Sequence, residues 1–242
     1  MINIEDTEVM GFRKAIKGMR NAMNSWGKSD SGFFQCGCPD VGTTWCGEYG
    51  SRCRRGDCQK CPMRGYDMGK ADMELAKRLI KAGSPDRKFM RMIHVQADVT
   101  APFYWWKEYD TYKVGTTANS CSTMHTIHKR ELTIDDFSHE HLLDDGYITH
   151  GDYCYLSSIN CLREQVHTLN MFREKYLETK DKKYWWQIIQ LLPSSFNQMR
   201  TIDLDYETLF SIYHQRKNHK LDEWHQFCEW IEDLPYMREF LS

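Results

Sequence analysis

From Ile93 to Thr100, apolar and polar residues alternate without a break, and the alternation stops at Pro102. A period of two places Ile93, Val95, Ala97 and Val99 on one face, which predicts a half-buried strand. Proline has no N–H to give to a sheet ladder, so Pro102 ends the strand. The aromatic run Phe103-Tyr104-Trp105-Trp106 follows, and then a hydroxyl-rich segment from Tyr112 to Ser122. Small hydroxyl residues and Asn have low helix propensity and little apolar surface to bury, but they present donors and acceptors well. The expectation is a scaffold strand delivering a polar loop to a nucleotide-sized ligand. The aromatic run is then either a wall of that site or, as aromatics more commonly are, core.

The rest of the chain reads mainly as helix. Thr7 to Asn24 carries Phe12, Ile16 and Met19 or Met23 at helical spacing, and Leu75, Leu79 and Ile80 mark a helix that stops at Gly83-Ser84-Pro85. Thr133 is a candidate N-cap of a short helix. Tyr147 to Tyr155 reads as loop. Ile159, Leu162, Val166, Leu169, Phe172 and Tyr176 define a long helix, and Tyr184 to Leu192 another, closed by Pro193. Phe196 to Leu204 has strand character, with Asp203 or Asp205 placed to cap the helix of Tyr206, Leu209, Phe210 and Tyr213. Leu221, Trp224, Cys228 and Ile231 give the last long helix. This is a mixed α/β (α+β) pattern: a central, mostly antiparallel sheet flanked by long helices. The expectation is a single domain over 1–242, with a Cys-rich inserted segment at about 30–66. A net charge of −2 supplies no basic field for nucleic acid. No apolar run approaches the ~18 residues of a membrane span, and the first residues lack a signal-peptide pattern. The expected location is the cytoplasm.

The order strand, Ala-Pro-aromatic, hydroxyl/Asn segment, long helices, Leu-Pro, strand and a helix ending in Arg resembles the flavin-dependent thymidylate synthases. Their Arg-His-Arg-x-x-Ser-x-Asn-Glu-x-Ser-x-Arg-Tyr motif lies without a gap on Tyr112 to His125. Thr117 takes the first Ser position, Asn119 the Asn and Ser122 the second Ser. A second block runs from Leu192-Pro193 through Asp205-Tyr206-Glu207 to Arg216, which falls on the family's final Arg. Elsewhere the motif is replaced: Arg-His-Arg by Tyr112-Lys113-Val114, Glu by Ser120, Arg-Tyr by Met124-His125, and Asn-x-Arg by Asp205-x-Glu207. In the family those guanidinium groups hold flavin and nucleotide phosphates, a bidentate task that Val and Met cannot perform. The resemblance implies a nucleotide held by Ser122, Arg216, Thr117 and Lys113, and FAD held by Asn119, Thr116 and Tyr112. It also implies a homotetramer with sites built between subunits. The implied reaction is methylation of dUMP at C5 with flavin and methylene-folate, needing no enzyme nucleophile. Cys121, beside Ser122, is expected to be an inert thiol.

Six of the ten cysteines lie between Cys36 and Cys61, with glycines interspersed. Cys36-x-Cys38 and Cys58-x-x-Cys61 are the best ligand set for a tetrahedral zinc ion, with Cys46 and Cys53 as substitutes. An iron–sulfur cluster and unligated or paired thiols remain alternatives. His139, Glu140, His141, His150 and Asp152 suggest a second metal site, although surface histidines fit their context better. A reading of another class is a catalytically silent nucleotide-binding or protein-interaction relative with a zinc-binding module. A third is a flavin enzyme modifying a different pyrimidine position.

Overall fold

The computed structural model describes residues 1–33, 66–144, 147–150 and 153–242, with 147–150 and 153–156 described by their backbone alone. The candidate zinc ligands Cys36, Cys38, Cys58 and Cys61 lie outside the described residues, as does Asp152. The chain divides into two units, Met1–Val9 with Val95–Pro235 and Met10–His94 with Tyr236–Ser242.

The first unit carries a four-stranded sheet from β1 (Asn3–Met10), β4 (His94–Pro102), β8 (Asn197–Asp205) and β5 (Thr116–Ser120), in the order β1-β4-β8-β5. The alternation read from sequence holds: Val95, Ala97, Val99 and Ala101 of β4 are buried, as are Ile202 and Leu204 of β8. β5 is an edge strand paired antiparallel to β8, with Thr117 opposite Asp203 and Asn119 opposite Thr201. The hydroxyl segment expected as loop is therefore partly strand. Its β-branched threonines suit an extended edge, and β8 satisfies the backbone groups on one side.

The aromatic run is helix α3 (Phe103–Tyr109). Its first N–H groups are satisfied by the 194–196 turn, Phe103 N–H donating to Phe196 O (3.0 Å) and Tyr104 N–H to Ser194 O (3.0 Å). Trp105, Trp106 and Tyr109 are buried, so the run is core rather than ligand wall. They pack with Trp224 and Phe227 of helix α8 (Asp222–Asp233). A second apolar cluster joins Leu162, Val166 and Leu169 of helix α5 (Ser158–Thr179) to Ile188 of α6 (Lys182–Leu191), with Ile127, Leu132, Phe137 and Phe196. Residues 147–150 and 153–156, expected as loop, form an antiparallel hairpin of strands β6 and β7. Thr133 and Asp136 make the two reciprocal bonds of a capping box on the short turn Ile134–Asp136.

Helix α7 (Tyr206–Arg216) starts on the cap expected of Asp205, whose Oδ1 accepts from Thr208 N–H at 2.7 Å. The turn before β5 lies against this cap. Gly115 has φ +71°, its carbonyl accepts from Asp205 N–H at 3.1 Å, and a Cβ there would stand 2.2 Å from Asp205 Oδ2. Gly115→Ala combines a left-handed backbone with a clash against a buried carboxylate. It is expected to destabilise by about 1–3 kcal/mol in denaturant titration, where a surface Gly→Ala at negative φ would be neutral or stabilising.

The second unit contains helix α1 (Phe12–Met19), a β2–β3 pair (Gly32–Phe33 with Tyr66–Asp67), α2 (Lys70–Ala82) and α9 (Met237–Leu241). The first helix begins later than the expected Thr7, because Thr7 to Met10 belong to β1. Gly11, at φ +102°, turns the chain where a Cβ would meet Met92 O at 2.0 Å. The Lys70–Ala82 helix stops at Gly83 as expected. No described helix is long and apolar enough to cross a membrane.

Candidate functional site

The 112–125 segment leaves α3, turns at Gly115, runs along the sheet edge and enters helix α4 (Thr123–Thr126). Because pairing positions share a face, Thr117 and Asn119 lie with Asp203 and Thr201, on the face opposite the buried Ile202 and Leu204. That face is polar, and Thr201 Oγ1 donates to Asp98 Oδ1 at 2.5 Å. Thr116 Oγ1 donates to Tyr112 O at 2.5 Å and so braces the turn. Ser122 begins α4, where its carbonyl accepts from Thr126 Oγ1 at 2.7 Å. Lys113 is exposed.

Arg216 ends α7 and is the centre of a compact polar cluster. Its Nε donates to Tyr112 Oη at 2.8 Å and its Nη1 to Glu108 Oε2 at 2.7 Å. The guanidinium carbon stands 4.7 Å from the Trp224 ring centroid and 5.5 Å from that of Tyr112. Such stacking suits a planar, weakly hydrated cation. The same Glu108 oxygen accepts from Trp224 Nε1 at 2.9 Å and faces His219 Nε2 at 3.3 Å. Leu221 N–H donates to His219 Nδ1 at 3.2 Å, which leaves Nε2 as the proton-bearing nitrogen towards Glu108. Tyr112 Oη passes its own proton to Gln215 Oε1 at 3.1 Å. Behind the cluster, burial and the nearby Glu232 push the Cys228 thiol up to about 11, so it stays protonated.

Of the residues proposed from sequence, the structure brings Tyr112 to Arg216. Among the described residues no hydrogen bond joins Arg216 to Ser122, Thr117, Asn119 or Lys113. Glu108 and Trp224 were not singled out as site residues. Glu108 lies in the last turn of α3, which ends at Tyr109, and no local spacing pointed to its partners. Trp224 was legible only as part of a core stripe. Asp205 and Glu207, which stand at the Asn-x-Arg positions of the resemblance, are buried, and Asp205 serves as the helix cap.

At the other end of β5 a cavity of about 430 Å³ is bounded by Cys121, Thr123, Thr126, Lys129, Asn197 and Gln198, among others. Its volume falls in the range of small-molecule sites, about 300–1,000 Å³. Gln198 Nε2 bridges Cys121 O (2.9 Å) and Thr123 Oγ1 (3.2 Å), tying the segment to β8. No residue of the Arg216 cluster borders this cavity. Cys121 is exposed rather than buried, and its Sγ meets Thr126 Oγ1 at 4.0 Å. Among the described residues no group of His, Cys, Asp and Glu is disposed to hold a metal ion. His139 Nδ1 instead meets Phe137 O at 2.8 Å, and His141 pairs with Asp222 at 3.1 Å.

Val114 is 85% exposed and Met124 51% exposed, where the family resemblance requires guanidinium groups, and Tyr112 is already engaged by Arg216. Lys113 is the one Lys or Arg left between residues 112 and 125. Between residues 112 and 125 this leaves fewer cationic donors than the resemblance implies for a dinucleotide diphosphate.

The architecture as a whole is that of the flavin-dependent thymidylate synthases. The chain superposes over 100% of its length on thymidylate synthase X from Helicobacter pylori with FAD and dUMP, covering 97% of that chain at 12% identity and a TM-score of 0.62. A second structure of that enzyme, also complexed with FAD and dUMP, gives 13% identity, 99% and 97% coverage and the same TM-score. The UMP/dUMP methylase PolB from Streptomyces cacaoi, bound with 5-Br UMP, gives 12% identity, 100% and 94% coverage and a TM-score of 0.58. No protein-family model and no curated protein matches the chain.

Proposed function

We propose that this protein binds a pyrimidine deoxynucleotide on a thymidylate synthase-type frame, without the family's flavin clamp. One contact supports this reading above the rest. The first position of the 112–125 block and the last position of the 192–216 block meet, as Arg216 Nε bonds Tyr112 Oη across 104 residues. One end of each segment that resembles a nucleotide-binding motif thus touches the other. The similar Helicobacter pylori and Streptomyces cacaoi structures hold dUMP or a UMP analogue, which makes a uridine nucleotide the first ligand to try. Ser122, Thr117 and Asn119 would join Arg216 only across a contact between copies, in a homo-oligomer of the tetrameric kind the resemblance implies. The exposure of Thr117 to Ser120 on the edge strand favours that arrangement.

A catalytically silent role is favoured over methylation by the neutral, exposed side chains at Val114 and Met124. The protein is expected to purify colourless and to show no flavin absorption band after incubation with FAD. Stable FAD uptake would overturn the exclusion of flavin chemistry. Thermal denaturation with dUMP, UMP and dCMP tests the nucleotide reading. A ligand at a hundredfold excess over its Kd stabilises by about 2.7 kcal/mol. The expected result is a rise in Tm with at least one of the three, lost in R216A. No rise with any of them, or a rise that R216A retains in full, sinks the reading.

A further inference from the structure

We propose that Glu108 is the resident occupant of a phosphate-type anion site, and that this carboxylate sets how tightly the protein binds a phosphate monoester. A single oxygen, Glu108 Oε2, accepts from two N–H donors of other segments, Arg216 Nη1 at 2.7 Å and Trp224 Nε1 at 2.9 Å, and His219 Nε2 stands 3.3 Å away. The donors are held independently of the carboxylate. Arg216 is oriented by Tyr112 Oη and stacks on Trp224, the His219 ring is held by Leu221 N–H, and Trp224 is fully buried among Trp105, Phe227 and Tyr112. Converging, preorganised N–H donors that include a guanidinium are a means by which proteins bind a phosphate oxygen. Glu108 itself is the movable member, since its side chain is 34% exposed against 18% for Arg216. Water can take over its hydrogen bonds once it swings away from the surface of α3. The neighbouring Glu232 is held by Tyr213 Oη at 2.5 Å and does not compete for Arg216.

While Glu108 is in place it neutralises Arg216, and an incoming dianion meets both an occupied donor set and a like charge. Binding therefore requires displacement, and phosphate affinity is set by the exchange of one anion for another. The proposal depends on the nucleotide reading only for the ligand's identity. The anion site stands on the geometry of the cluster.

The test compares full-length wild type, E108Q and the double variant E108Q/R216A, each titrated at constant ionic strength with inorganic phosphate and separately with dUMP. The Trp224 indole N–H resonance reports occupancy at the cluster, and isothermal titration reports affinity. Glutamine keeps the size and one acceptor oxygen, so Arg216 and Trp224 retain a partner. Phosphate is expected to shift the Trp224 resonance in E108Q at concentrations at least tenfold below those needed by wild type, with no response in the double variant. Equal responses of wild type and E108Q overturn the proposal, as does a double variant that responds like E108Q. If E108Q gains phosphate but not dUMP, the anion site stands and the nucleotide reading falls. Should E108Q fail to fold, E108D withdraws the carboxylate by one methylene. It is expected to bind phosphate measurably tighter than wild type, and wild-type behaviour from folded E108D refutes the proposal.

Discussion

Trp105→Ala is expected to lower the stability of the first unit by about 3–5 kcal/mol, enough to bring a domain of ordinary stability close to unfolding at 25 °C. The side chain is fully buried and touches four other aromatic rings. Trp106 and Trp224 have centroids 4.8 Å away, Tyr109 5.3 Å and Phe227 5.4 Å. Truncation to Ala removes the largest apolar surface in this cluster and leaves a cavity that rings on three sides cannot close by small shifts. It also removes edge and stacking contacts worth about 0.5–1.5 kcal/mol per pair beyond area burial. The consequence reaches the site, because Trp224 rests on Trp105 and places its indole N–H on Glu108. Denaturant unfolding followed by circular dichroism measures the effect, with Trp186→Ala as the control. Trp186 is 45% exposed, so its loss is expected to change stability by about 0.5 kcal/mol or less. A Trp105→Ala effect no larger than that of Trp186→Ala would show that the aromatic cluster does not hold this unit together.

Asp72→Ala is expected to cost a similar amount, about 3–5 kcal/mol, in the second unit, by a different mechanism. Asp72, in α2, is fully buried, and Arg20, following α1, is 5% exposed. Arg20 Nε donates to Asp72 Oδ1 at 2.5 Å, while Ser29 Oγ (2.6 Å), Ser31 Oγ (2.5 Å) and Ser31 N–H (3.2 Å) converge on Oδ2. Removing the carboxylate leaves a guanidinium inside the unit with no counter-charge and strands three donors. The neighbouring Asp30, which caps α2 through Ala71 N–H (2.8 Å) and Asp72 N–H (3.1 Å), is the control. Asp30→Ala should cost only about 1 kcal/mol, as exposed caps do. The sign distinguishes a paired charge from mere packing. Replacing both partners, R20M with D72L, is expected to cost less than Asp72→Ala alone, because no charge is then left unpaired.

Acid stability follows from the same pair. Burial alone would raise the Asp72 carboxyl, but the bonds from Ser29, Ser31 and Arg20 outweigh it and hold the group below the ordinary carboxylate value. A folded-state value below the unfolded one stabilises the protein above the unfolded value, near 3.9, and this contribution is lost as pH falls through the folded value. The protection factors of the Lys70–Ala82 amides, hydrogen exchange corrected for its intrinsic pH dependence, are therefore expected to fall in wild type below about pH 4. In D72N they should already be low at neutral pH. Wild-type protection factors that stay constant down to pH 2 contradict the assignment.

The main elements were legible because their causes are local. The alternation from Ile93 to Thr100, the stripe from Ile159 to Tyr176, the stop at Gly83 and the cap at Asp205 depend on residues within a few positions of one another. The order of those elements, with the Ala101-Pro102 break, also sufficed to identify the fold. Other segments have weaker local preferences. Thr116 to Ser120 have no periodic apolar face, and only pairing with β8 makes them a strand. Phe103 to Tyr109 carry apolar residues on all sides, and whether such a run lines a ligand or fills a core depends on what packs against it.

The sequence by itself therefore determined the main helices and the scaffold strand, and suggested the two blocks that end at His125 and Arg216. Only the tertiary structure decided what Arg216 meets. Its partner Glu108 lies 108 residues away and its stacking surface Trp224 belongs to another helix, and pairings across such distances leave no mark in local spacing. Glu108 looks like any solvated helix charge until α7 and α8 bring Arg216 and Trp224 to one of its oxygens.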